Sequence, residues 1–202
     1  MKIILASASQ RRKDLLDSLG IPFSVVASEI NETEFLKPGK KPQEIVQEIA
    51  LAKGLEIKNR IKAKDFLIIS ADTIAVFKNS QGTQILGKPK NRKEASQMLI
   101  LLRNRMHRIL TGVVFINKTG IQGKFLEESK VFFKNFSSKE LEDYLDTNTY
   151  LDRAGAYGIQ DKKCDFIKKY EGSYSNILGL PIEKIMRYLH KLGIKTSMEE
   201  RV

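Results

Sequence analysis

The sequence predicts an α/β fold, a mixed, twisted sheet with flanking helices, and three patterns carry that expectation. Lys2-Ile3-Ile4-Leu5 reads as a buried strand, and the continuous apolar run at 66–69 as one covered on both faces. Helical apolar stripes follow them, as strands alternating with helices require. Residues 107–116 and 123–136 read as two long strands joined by a turn at 118–120, an antiparallel hairpin that makes the sheet mixed.

Taken in order, the strand at 2–5 leads through Ala6-Ser7-Ala8-Ser9-Gln10-Arg11-Arg12 into a helix over 14–19. There Leu15, Leu16 and Leu19 are apolar and Gly20 caps the end. Phe23-Ser24-Val25-Val26 suggests a second strand, and a polar loop over 28–41 follows. Pro42 opens a helix reaching about residue 62, because proline suits a first helical position. Beyond 66–69, residues 74–78 continue extended and 79–82 turn. Asn91, with Glu94 three residues on, has the form of a capping box for a helix through Leu102, and Ser137 with Glu140 does the same for a helix to Asp146. Gly155-Ala156-Tyr157-Gly158 reads as a loop. The last helix starts at Pro181. Its stripe of Ile182, Ile185, Met186, Leu189 and Leu192 stops at Gly193, leaving 194–202 as a loosely held tail.

At 202 residues, 42% hydrophobic and 29% charged, the chain suffices for one cored domain spanning 1–202. No apolar run is long enough to cross a bilayer. A strand beginning by Ile3 leaves no room for an export signal, so a cytoplasmic protein is expected. The single cysteine, Cys164, excludes an intrachain disulfide and a cysteine-rich metal site. With only His107 and His190 to activate it, a thiol nucleophile is disfavoured. Lys and Arg total 35 against 24 acids, a net charge of +11, which points to an anionic small substrate or to nucleic acid. The charge is spread along the chain without a basic tail, zinc finger or aromatic ribonucleoprotein signature, so nucleic acid is the weaker expectation.

The segment 6–12 is a strand-to-helix turn of small residues, two hydroxyls and two guanidiniums. A helix start favours anions, small side chains admit a ligand to the backbone, and Ser7, Ser9, Arg11 and Arg12 can all hydrogen-bond phosphate oxygens. The plainer alternative is a serine helix cap with two solvated arginines. Asp72 follows the run 66–71, at the carboxyl end of a strand where α/β sheets bind ligands, and Thr73 sits beside it. Lys53 falls on the stripe of Val46, Ile49, Ala50 and Ile57, so its charge must snorkel out or meet an anion. Gly87-Lys88-Pro89 is a tight basic corner offering a point charge. Glu32 and Glu34 can join Asp72 on a hard divalent ion, since Mg2+ uses one or two carboxylates plus substrate phosphates.

Together these segments resemble the Maf family of nucleoside triphosphate pyrophosphatases. The match runs in order through LASASQRRKDLL (5–16), INETEF (30–35), ALAK (50–53), SADT (70–73), ILGKP (85–89), LTGV (110–113), AGAYGIQ (154–160) and EGSYSNILGLP (171–181). The resemblance implies a fold like that of inosine triphosphate pyrophosphatases, two lobes around a cleft, and a homodimer. It implies hydrolysis between the α and β phosphates, with Mg2+ or Mn2+, to a nucleoside monophosphate and pyrophosphate. Asp72 matches the family's catalytic base, and Ser9, Arg12, Glu32, Lys53 and Lys88 match other polar positions of its cleft. Arg11, Thr73 and Gln160 match members acting on dTTP and UTP, where those acting on 7-methyl-GTP carry an aromatic, a glutamine and an acid. A glutamine amide both donates and accepts, which suits the O4 and N3–H edge of uracil or thymine. The chain departs from the family pattern at Gln10, usually proline, and at 161–165, usually a glycine-rich connection. The family is also linked to inhibition of septum formation, so a regulatory binding role and a 7-methyl-GTP pyrophosphatase are the alternatives.

Overall fold

The computed structural model describes residues 1–197 apart from 38 and 81. Seven strands form one sheet: β1 (Lys2–Ala6), β2 (Phe23–Val25), β3 (Phe66–Asn79), β4 (Gly82–Leu86), β5 (Met106–Asn117), β6 (Gly120–Phe133) and β7 (Ile167–Glu171). The order is β2-β1-β3-β5-β6-β7, with β4 paired to β3. β1 runs parallel to β2 and β3, whereas β4 on β3 and β7 on β6 are antiparallel. The expected mixed α/β class is therefore observed. The helices are α1 (Gln10–Asp17), α2 (Pro42–Arg60), α3 (Arg92–Leu102), α4 (Ser138–Leu145), α5 (Tyr174–Leu178) and α6 (Ile182–Lys191). None among the described residues is long and apolar enough to cross a membrane.

The chain divides into two compact units. Unit 1 comprises Met1–Asp72, Thr111–Glu127 and the chain from Leu178 on. Strand alternation assigns its two cores. Ile3, Leu5, Leu67, Ile69, Val113 and Phe115 pack with Leu16 of α1 and with Ile182, Ile185 and Leu189 of α6. The intervening Ile4, Ile68, Val114 and Ile116 pack with Ala50 and Ile57 of α2. Gly112 lies under α2, where a Cβ would come within 2.8 Å of the Val46 carbonyl oxygen. Only a missing side chain lets helix and strand approach so closely. Ser70 then ties the layers together, its hydroxyl donating to the Ala50 carbonyl at 2.7 Å.

Unit 2 comprises Thr73–Leu110 and Glu128–Ile177. Its core joins Ala75 and Phe77 of β3, Leu99 and Leu102 of α3, Leu141 and Tyr144 of α4, and Tyr157, Cys164 and Phe166. Burial pushes the Cys164 thiol up to about 12, so it stays protonated at neutral pH.

Several boundaries differ from expectation. α1 begins at Gln10, not at residue 14, so Arg11 and Arg12 are helical. β3 does not stop before Asp72. It continues to Asn79, because β4 takes up pairing at Ala75 after β1 has ended opposite Ser70. β4, β7 and α5 were not foreseen, and β6 ends at Phe133 rather than 136. The box at Ser137–Glu140 forms in full. At Asn91 only half forms, since Glu94 reaches back to the Lys90 N–H instead. Residues 194–197, expected as the start of a loose tail, are held: the Ser197 N–H donates to the Leu19 carbonyl and Thr196 is buried against His190. The rest of that tail lies outside the described residues.

His107 is buried in unit 2, with Nε2 at 2.7 Å from the Tyr157 hydroxyl and its ring edge-on to Phe133 and Tyr157. Burial lowers its pKa from 6.5 to about 3. Between those values the unfolded chain binds a proton that the native state does not, so stability rises with pH across the window and falls on acidification. Urea unfolding from pH 6 to 4.5 is expected to show His107→Leu with a slope of stability against pH shallower by up to about 1.4 kcal/mol per pH unit. Parallel slopes in the two proteins would contradict the burial account.

Candidate active site

Unit 1 gathers most of the polar residues singled out from the sequence. α2 carries Lys53 on its buried stripe, and the packing of Ala50 and Ile57 against the sheet directs that stripe inward. The buried Lys53 charge meets anions, as the second of its two options required. Its Nζ lies 2.7 Å from Asp72 Oδ1 and 2.6 Å from Glu32 Oε1. Glu32 comes from a 3-10 turn, Glu32–Phe35, which Asn31 caps by accepting the Thr33 N–H. That turn is a local feature of the loop over 28–41 and leaves Glu32 half exposed. Glu34 of the same turn accepts instead from the Asn31 amide.

Asp72 is 4% exposed and lies within β3, two residues past the last β1 partner, Ser70. The strand-end expectation is thus corrected: the carboxylate projects where the parallel neighbour has ended, inside a strand that continues. Burial pushes its carboxyl up from the ordinary value, against the pull of Lys53 and Arg12 and with Glu32 adding to the rise. Burial lets this carboxylate accept a proton more readily, while the neighbouring cations favour its charged form before it does so.

The segment 6–12 builds a compact polar corner in unit 1. The Ser7 hydroxyl, nearly buried, accepts from the Ser9 N–H at 3.2 Å and from Arg12 Nη1 at 3.4 Å. Ser9 is the residue before α1, but its side chain makes no capping bond, so the plain capping alternative does not hold there. Arg12 Nε donates to the Gly179 carbonyl at 2.7 Å, which fixes the guanidinium and marks the positive-φ Gly179 as a residue the sequence reading missed. Arg11 is half-buried in the first turn of α1.

The remaining candidates belong to unit 2. Thr73 is half-buried in β3 next to Asp72 in the chain. Lys88 is exposed and pairs with Asp152 at 3.1 Å. Gln160 is exposed on a turn. Asn176 was also missed. Buried in unit 2, it donates to the Ile109 carbonyl at 3.1 Å and to Ser129 Oγ at 2.9 Å, which accounts for an asparagine in the EGSYSN segment.

For a hard divalent ion the donor chemistry of Glu32 and Asp72 fits. They are two oxygen ligands that already share one cation, the number Mg2+ takes when substrate phosphates complete its shell. Among the described residues no group of three or more His, Cys, Asp or Glu gathers in the manner of an all-protein cage.

If Lys53 compensates this charge, Lys53→Met is expected to cost about 3 kcal/mol at neutral pH, because Asp72 is left buried without its cation. Adding Asp72→Asn to that background is expected to restore most of the loss in urea unfolding. A Lys53→Met protein as stable as the parent would contradict the pairing.

The Maf-like protein family profile matches residues 2–192. A dTTP/UTP pyrophosphatase of Alkaliphilus oremlandii is 42% identical over 188 residues, covering 91% of this chain and 92% of the relative. Another, from a Geobacillus species, is 38% identical over 192 residues, covering 95% and 98%. Among solved structures, a nucleoside-triphosphatase described as a dITP/XTP pyrophosphatase from Mycobacterium abscessus aligns at TM-score 0.40 and 15% identity, over 68% of this chain and 76% of that one.

Proposed function

The chain belongs to the Maf-like protein family, and on that premise we propose that it hydrolyses dTTP and UTP to the nucleoside monophosphate and pyrophosphate. The observation that carries the chemistry is Asp72, buried, of raised proton affinity, and held by Lys53 together with Glu32. The substrate preference rests on relatives named dTTP/UTP pyrophosphatase that match along nearly their whole length, and on Arg11, Thr73 and Gln160.

In this reading Asp72 orients a water molecule and takes its proton as the oxygen attacks the α-phosphorus. The new P–O bond forms as the α–β bridging bond breaks, and pyrophosphate leaves with that bridging oxygen. Lys53 holds Asp72 in place and offsets charge during the proton transfer. Ser7, Ser9, Arg12 and Lys88 bind phosphate oxygens, work that is mostly positioning and charge stabilisation. Glu32 and Asp72 would hold the divalent ion, Mg2+ or Mn2+. When bound, that ion neutralises phosphate charge and polarises the reacting phosphoryl group. Gln160 reads the O4 and N3–H edge of the base, with Thr73 and Arg11 adding to the preference. The chain acts in the cytoplasm as one catalytic domain and as a homodimer.

The test is turnover of dTTP, UTP, CTP, GTP and 7-methyl-GTP with Mg2+ or Mn2+ and with products resolved. Monophosphate and pyrophosphate are expected from dTTP and UTP, with a loss of at least about 100-fold in Asp72→Asn. A preference for 7-methyl-GTP would overturn the reading of Arg11, Thr73 and Gln160. No turnover of any nucleotide would overturn the enzyme reading and favour a binding protein.

A further inference from the structure

The polar loop at 161–165, where this chain departs from the family pattern, contains a side chain with more partners than a solvated loop residue needs. The Asp161 carboxylate is only 11% exposed and accepts from three side chains of unit 2. Tyr144 of α4 donates its hydroxyl to Oδ2 at 3.0 Å, Thr149 donates to the same oxygen at 3.3 Å, and Arg153 Nη2 donates to Oδ1 at 3.3 Å. The backbone of Asp161 is held as well. Its N–H donates to the Gly158 carbonyl at 3.0 Å, and its own carbonyl accepts from the Cys164 N–H at 2.8 Å.

The turn is closed at its other end by the same tyrosine, whose hydroxyl oxygen accepts from the Gly158 N–H at 3.3 Å. The carboxylate also packs onto Gly158, where a Cβ would lie 2.6 Å from Oδ2. Ile159 and Gln160 thus sit on a short segment clamped at both ends through one hydroxyl and one carboxylate. Gln160, the residue between, is exposed and so able to meet a ligand.

We propose that Asp161 is a positioning residue for Gln160 and thereby sets selectivity for uracil and thymine over cytosine. The proposal rests on the reading that Gln160 pairs with the base. Uracil presents an acceptor and a donor where cytosine presents a donor and an acceptor. A glutamine amide meets both atoms of the uracil edge only if the turn carrying it sets it at the right distance, so a displaced turn forfeits the pair of bonds that uracil gains. Holding the turn before ligand arrives also removes an ordering cost from binding.

The readout is kcat and KM for UTP and CTP in Asp161→Ala, Asp161→Asn and Gln160→Ala. Asp161→Ala is expected to raise KM for UTP by about 5- to 20-fold with kcat within about twofold, and to lower the UTP-to-CTP ratio of kcat/KM by a similar factor. Asp161→Asn, which keeps volume and an acceptor oxygen, is expected to recover most of that ratio. Should Asp161→Ala not fold, Tyr144→Phe removes the shared hydroxyl and is expected to lower the ratio by about two- to fivefold. A collapsed ratio in Gln160→Ala with an unchanged ratio in Asp161→Ala, or in Tyr144→Phe where it stands in, overturns the positioning role alone. An unchanged ratio in Gln160→Ala overturns both the role and the base reading beneath it. Loss of kcat with KM and ratio unchanged in Asp161→Ala would likewise overturn the proposal.

Discussion

A lysine on the apolar stripe of a helix has to place its charge somewhere, and in this protein that demand organises the candidate active site. α2 approaches the sheet closely because Gly112 carries no side chain and Ser70 bonds the Ala50 carbonyl. Lys53, one turn beyond Ala50, is thereby buried at the level of Asp72. The ammonium draws Glu32 from its 3-10 turn to the same point. Two carboxylates and an ammonium in so small a volume stand together as a unit, since removing the cation alone leaves a buried carboxylate uncompensated. Such an arrangement stabilises the fold weakly at best and is better suited to function.

The parts legible in the sequence are those with a local physical signature. Pro42 marked the start of α2, the capping box marked α4, and Lys53 stood out because a charge interrupted an apolar stripe. The parts that escaped depend on pairing or on distant partners. β7 reads Ile167-Lys168-Lys169-Tyr170-Glu171 and is largely exposed at the sheet edge, so no apolar alternation announces it. β4 is likewise mostly exposed. Asp72 was identified, but its place inside β3 depends on β4 taking over where β1 stops, which only the register reveals. The anchoring of Arg12 by the Gly179 carbonyl spans 167 positions of chain and has no sequence pattern of its own.

The two kinds of residue divide the work differently. In the proposed reading Asp72, Lys53 and Glu32 serve phosphate chemistry that any nucleoside triphosphate presents; Lys53 and Asp72 are held by helix and strand, and Glu32 by a capped 3-10 turn. In the same reading Gln160 serves the base, on a turn whose next residue, Asp161, accepts from the side chains of Tyr144, Thr149 and Arg153. A base-reading residue on a loop would let its neighbours vary without disturbing the sheet.

The central claim is that Lys53 and Asp72 act as one catalytic unit, and a double-mutant cycle on kcat/KM for UTP tests it most directly. The account predicts that Asp72→Asn and Lys53→Met each cause a large loss and that the double variant is no worse than the poorer single one. Losses that multiply in the double variant would contradict it, showing that the two residues act independently.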